Sequence, residues 1–174
     1  DSYGGTQSPG GLDIESLMAH VARTGTVRDF AGGDPIANEA LFALDVDVLI
    51  PAATGHVITD ANAPNVRARA VVEAANMPVT LAGMDILTKR GVLVVPDILA
   101  NAGGVVASME EYARSLSASK MPQDRMFAAI RELLATALDA SIARSRASGS
   151  TLSEAAVAIG LERTYDAMRR RRMI

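Results

Sequence analysis

Apolar residues change their spacing several times along the chain, and each change marks an element. Ile14, Leu17, Met18 and Val21 recur at i, i+3, i+4 and i+7, which lines up one side of a helix. Asp13 stands where an N-cap belongs and Gly25 where such a helix stops. DFAGGDPIANEALFAL (29–44) reads as a loop leading to a short helix capped by Asn38. It feeds DVDVLIPAA, whose β-branched run predicts a buried strand over 46–50, ended by Pro51. The alternation then repeats, with NAPNVRA (62–68) helical, AVVEAAN (70–76) a strand, VTLAGMDILTKRG a helix closed by Gly91, and VLVV (92–95) a strand.

These strands are continuous apolar runs, so both faces should be covered, as in a parallel, doubly wound α/β sheet with right-handed crossovers. Beyond residue 100 helices take over, at about 101–117 and 122–147. The second carries Met126, Phe127, Ile130, Leu133, Leu134, Leu138 and Ile142 as one stripe, a pattern more often core than ligand box. In TLSE, Thr151 and Glu154 make a capping box for the last helix, whose stripe runs through Ala155, Ile159 and Leu161.

Composition narrows the function classes. With 174 residues, 49% hydrophobic and 21% charged, the chain can build one sizeable core. No apolar run approaches the roughly 20 residues of a spanning helix, so the expectation is a soluble, cytoplasmic protein with no membrane partner. The absence of Cys excludes disulfides, thiolate metal sites and a Cys nucleophile, and two isolated His argue against any metal site. A net charge of -3 offers no footprint for nucleic acid. The run Arg169 to Arg172 reads as a solvated helix end complementing the dipole. Only two of 17 basic residues, Lys89 and Lys120, are lysines, leaving little room for amine chemistry. The start at Asp1, without Met, reads as a piece of something longer.

In an open parallel sheet, ligands sit outside the carboxyl ends of the strands. That rule selects PAATGHV, EAANMP and PDILANAGGV. Each ends an apolar run with small residues that admit a flat ligand, and Asn76 and Asn101 both donate and accept hydrogen bonds. Gly103 and Gly104 have two readings, a bare helix start facing a ligand or tight packing against a neighbour. Ser108 also has two, a ligand contact or a hydroxyl bonding the carbonyl four residues back.

In this order and spacing, LDVDVLIPAA, EAANMPVT, GVLVVPDILANAGGVVAS and LSEAAVAIGLERTYDAM resemble the C-terminal half of amino-acid dehydrogenases of the glutamate/leucine/phenylalanine/valine class. The resemblance covers essentially the whole chain. It implies oxidative deamination of an L-amino acid to a 2-oxo acid and ammonia, with hydride passing to NAD or NADP. It further implies an incomplete Rossmann-like doubly wound parallel sheet followed by C-terminal helices. Residues 1–117 would be a partial dinucleotide-binding domain lacking its first βαβ unit, and 118–174 a helical segment packing on it. The family's Gly-rich phosphate loop would lie before Asp1.

Carried over by motif, Asn76 and Asn101 would meet the cofactor's ribose and nicotinamide side, with Ala52, Ala53 and His56 on the neighbouring cofactor loop. His56 stands where many relatives have Asn; an exposed loop His is the other reading. Asp1 would sit near the adenine ribose, Gly104 and Val105 in the substrate pocket, and Ser108 against a side-chain carboxylate. Relatives acting on glutamate carry Ser there, and those acting on branched or aromatic amino acids an apolar residue. A buried hydroxyl facing an apolar side chain would lose roughly 1–3 kcal/mol, so the Ser favours glutamate. The resemblance implies no catalytic residue in this segment, since the Lys and Asp of the family precede it. It also implies a homo-oligomer, a hexamer in the family. The alternatives are a leucine, phenylalanine or valine dehydrogenase, or a non-catalytic binding or assembly fragment.

Overall fold

A computed structural model describes residues 1–116 and 122–173. The boundary expected at 117/118 and Lys120 lie outside the described residues. Near the N-terminus, β1 (Gly5–Gln7) pairs antiparallel with β2 (Asp34–Ile36). Between them runs α1 (Ile14–Thr24), where Asp13 accepts from the Ser16 N–H at 3.2 Å. Gly25, at φ 77°, supplies the left-handed residue that ends this helix and donates to Val21 O at 2.8 Å.

After α2 (Asn38–Leu41) the chain enters a three-stranded parallel sheet of β3 (Val48–Leu49), β4 (Ala70–Val72) and β5 (Leu93–Val95), in the order β3-β4-β5. Helix α3 (Leu81–Lys89) crosses from β4 to β5. The main core lies between sheet and helix, where Ile58, Val66, Val71 and Leu87 have no exposed surface. Full burial of such a side chain contributes about 1.5–3 kcal/mol.

Helices α4 (Asp97–Ala100), α5 (Gly103–Leu116), α6 (Gln123–Ser148) and α7 (Leu152–Arg170) follow. A second cluster of Leu99, Leu152 and Ala156, flanked by Val95, Leu138 and Ile142, fastens α4, α6 and α7 to β5. The parallel sheet, the capping box and the late helices follow the sequence pattern.

Several expectations need correction. Of the 46–50 run only Val48–Leu49 is strand, with one neighbour among the described residues, and Val48 and Ile50 are 48% and 57% exposed rather than buried. Residues 62–68 form only a 3-10 turn, Ala63–Asn65, with Pro64 inside it. The 70–76 strand stops at Val72, and 101–117 is broken at Asn101 and Ala102, so its helix begins at Gly103. Asn38 does not cap α2; Ala37 holds the cap position, and the Asn38 amide donates to Asp1 O at 3.0 Å. The strand β2 falls in the segment expected to be loop, because DPI carries no apolar run. On α6, Phe127 and Leu133 are half exposed, and Leu161 on α7 is about two-thirds exposed, so neither stripe is wholly core.

Candidate functional site

The carboxyl ends of β4 and β5 are joined by side chains. Past β4, Glu73 N–H donates to Val95 O at 3.0 Å and carries the pairing one residue beyond the strand. The Glu73 carboxylate, 4% exposed, accepts from the Asp97 N–H at 3.0 Å. Burial raises its pKa above the usual glutamate value, the Asp97 N–H bond opposing and the Asp97 charge adding to that rise. The Asp97 carboxylate in turn accepts from Met77 N–H at 2.8 Å and from Ile98 N–H at 2.7 Å. Asn101, just past α4, donates its amide to Asn76 Oδ1 at 2.8 Å. The two loops that follow β4 and β5 are thereby tied together at their tips.

Next to this pair lies an open cleft of about 600 Å³, lined by Asn76, Asn101, Gly104, Val105, Ser108 and Tyr112 among others. Five of the residues expected at the site thus meet in one place. The two glycines at the start of α5 differ. A methyl on Gly103 would come within 3.1 Å of Ile130 Cγ2, whereas one on Gly104 would meet nothing within 4 Å. Gly103 is therefore the packing glycine and Gly104 the bare one on the cleft. Ser108 is exposed, and its hydroxyl makes no hydrogen bond to a described residue, so it does not spend itself on the carbonyl four residues back.

The loop after β3 backs onto the same region. His56 N–H donates to Met77 O at 2.8 Å, and Gly55 approaches so closely that a methyl there would sit 2.9 Å from Asn76 O. Ala52, Ala53 and His56 are exposed and lie outside the cleft lining. Asp1 is also outside it; its carboxylate accepts from Tyr3 N–H, Val27 N–H and the Thr26 hydroxyl at 2.6–2.9 Å. Glu73 and Asp97 were not singled out by residue type, although a lone Glu in an apolar strand is a readable signal. Met109 and Tyr112 line the cleft at i+4 from Val105 and Ser108, respectively. Among the described residues there is no group of three or more His, Cys, Asp or Glu able to hold a metal ion. Nor, among them, is any helix long and apolar enough to cross a membrane.

The family model of the glutamate/leucine/phenylalanine/valine dehydrogenases matches residues 1–172. The chain belongs to this family. Two relatives are both 40% identical to it: an NADP-specific glutamate dehydrogenase A1 of Halobacterium salinarum over 96% of the chain, and an NAD-specific glutamate dehydrogenase of Staphylococcus aureus over 98%. The chain spans about two-fifths of these relatives, 40% and 41% of their respective lengths. A hetero-hexameric glutamate dehydrogenase from Thermus thermophilus superposes with a TM-score of 0.83 at 31% identity, over 94% of the chain and 38% of that structure. The sheet and late helices are thus the Rossmann-type portion of a glutamate/leucine/phenylalanine/valine dehydrogenase fold.

Proposed function

We propose that this chain is the dinucleotide-binding part of a cytoplasmic, homo-oligomeric glutamate dehydrogenase. The reaction converts L-glutamate, water and NAD+ or NADP+ to 2-oxoglutarate, ammonium, the reduced cofactor and a proton. Residues 1–117 serve as the partial dinucleotide domain and 118–174 as the helical segment on it. The observation that carries this reading is the Asn101–Asn76 hydrogen bond at the carboxyl edge of the sheet, beside the methyl-free face of Gly104.

These residues fit a nicotinamide dinucleotide. The Asn76 NH2 group donates to no described residue, leaving donors free for a ribose or carboxamide oxygen, while Gly104 leaves room for a flat ring. When bound, the cofactor supplies the hydride acceptor. The chain's own part is to orient: Asn76 and Asn101 hold the cofactor edge, Gly104 and Val105 face the substrate's backbone atoms, and Ser108 donates to its side-chain carboxylate. Asp1, Ala52, Ala53 and His56 belong on the cofactor's outer contacts. Catalytic proton transfer is left to residues outside this segment.

The test is a chimera in which this chain replaces the matched segment of the Staphylococcus aureus relative. It should oxidise glutamate in preference to leucine. Asn101→Ala should raise the KM for the cofactor about tenfold or more, the loss of one or two hydrogen bonds. Ser108→Val should cut kcat/KM for glutamate roughly 10- to 100-fold and leave leucine little changed, since only the charged side chain loses its donor. The exposed walls Val105, Met109 and Tyr112 favour the second reading, an apolar amino acid as substrate. A chimera that oxidised leucine in preference to glutamate would assign the cleft to that second reading, and a Ser108→Val chimera that kept its glutamate preference would remove Ser108 from the carboxylate contact.

A further inference from the structure

Glu73 and Ser141 are the buried polar side chains of the described core. Ser141 satisfies itself locally, donating to Ala137 O at 2.7 Å on its own helix. Glu73 reaches across to another element. Its carboxylate takes the N–H of Asp97, the first residue of α4, and Asp97 then takes the N–H of Met77 from the opposite loop. The Asp97 carbonyl also accepts from the Asn101 N–H at 2.9 Å. Both asparagines of the cleft are therefore tied through Asp97, Asn101 directly and Asn76 through its neighbour. Met77 sits at φ 46°, a conformation an unbranched side chain adopts only when its surroundings hold it.

We infer that Glu73 and Asp97 are the positioning residues of the site, a two-carboxylate relay that fixes the separation of Asn76 and Asn101. Resting on the cofactor reading above, this gives the pair a fixed span to offer a dinucleotide. The cost fits such a role. A carboxylate buried in place of an aliphatic side chain forfeits solvation, and an apolar residue at this strand end would pack without it. What the carboxylate supplies is a charge-assisted acceptor for an N–H that begins α4.

The experiment compares Glu73→Gln, Glu73→Leu and Asp97→Ala in the full chain by amide NMR, first without ligand. Gln keeps an acceptor oxygen for the Asp97 N–H, so it should preserve the Asn101 side-chain resonances and the slow exchange of the Met77 amide. Leu removes the acceptor and should shift those resonances and speed Met77 exchange at least about tenfold. Asp97→Ala, at a half-buried position, removes the acceptor of the same amide and covers the case in which the Leu variant does not fold. NADH is then titrated into each variant, with Asn76→Ala as reference. Affinity should fall with Leu and recover with Gln. Unchanged Met77 exchange in both Glu73→Leu and Asp97→Ala overturns the relay. So does an NADH affinity that drops in Asn76→Ala but not in Glu73→Leu. Indifference of NADH binding to Asn76→Ala instead overturns the cofactor reading, while the exchange data still decide the relay.

Discussion

A methyl placed on Gly103 comes within 3.1 Å of Ile130 on α6, while the neighbouring Gly104 has open space before it. The two positions call for opposite behaviour. Ala at 104 gains helix propensity, up to about 1 kcal/mol, yet fills the face where a ligand would lie. Gly104→Ala is therefore expected to hold or raise the urea midpoint while weakening NADH binding. Gly103→Ala must push Ile130 aside, and overpacking costs about 1–3 kcal/mol, so its midpoint should fall with NADH binding affected far less. Equal losses of binding in the two variants would refute the division. Sequence alone left the glycine pair undecided, since Gly-Gly carries no information on which neighbour is near. The placement of Asn76 and Asn101 on the cleft was legible because strand ends fix their side of the sheet, whereas spacing left Ser108 open between a ligand contact and a bond to its own helix. Asp97 was not, because its role depends on two loops that only the fold brings together.

Among the elements, those with chemistry at their ends were the readable ones. The Thr151–Glu154 box is present in both directions, Thr151 accepting from Glu154 N–H at 3.2 Å and Glu154 accepting from Thr151 N–H at 2.8 Å. The helix it opens then buries Leu152, Ala155 and Ala156. Thr151→Ala should cost about 1 kcal/mol, read as a lower urea midpoint at unchanged slope, and Thr151→Ser should restore most of it. A midpoint unmoved by Ala would mean that burial of α7 makes its cap redundant. The strands were harder. Their apolar runs overstate their length, because the pairing ladder of β4 ends at Val72 while Ala74 and Ala75 resume the apolar pattern beyond Glu73. Periodicity also reports which face is apolar and not what covers it. Ile14 and Met18 on α1 are 57% and 67% exposed despite their regular spacing, as is one side of β3.

For the molecule as a whole, the carboxylates divide into two opposing sets, and the division predicts how stability follows pH. Bonds to Thr151 hold Glu154 below the usual value, and bonds to Ser16 do the same for Asp13. Their contribution is present above the unfolded pKa values of 4.5 and 3.8 and is lost as pH falls through the folded ones. Glu73 behaves in the other sense. Burial raises its folded pKa above 4.5, so the native state binds the proton more tightly than the unfolded chain. Its contribution is full below pH 4.5 and is lost as pH rises through the folded pKa. Glu73→Gln removes that one titration and keeps an acceptor oxygen for Asp97. Urea midpoints taken from pH 4 upward should therefore show the variant gaining on the wild type across the window above 4.5, then running parallel once Glu73 is ionised in both states. Parallel curves throughout would mean that Glu73 titrates as an ordinary surface carboxylate. A gain of the wild type on the variant with rising pH would mean that the Asp97 N–H bond outweighs burial. Either result would remove the energetic argument that this carboxylate is retained in the core for the geometry it imposes on Asn76 and Asn101.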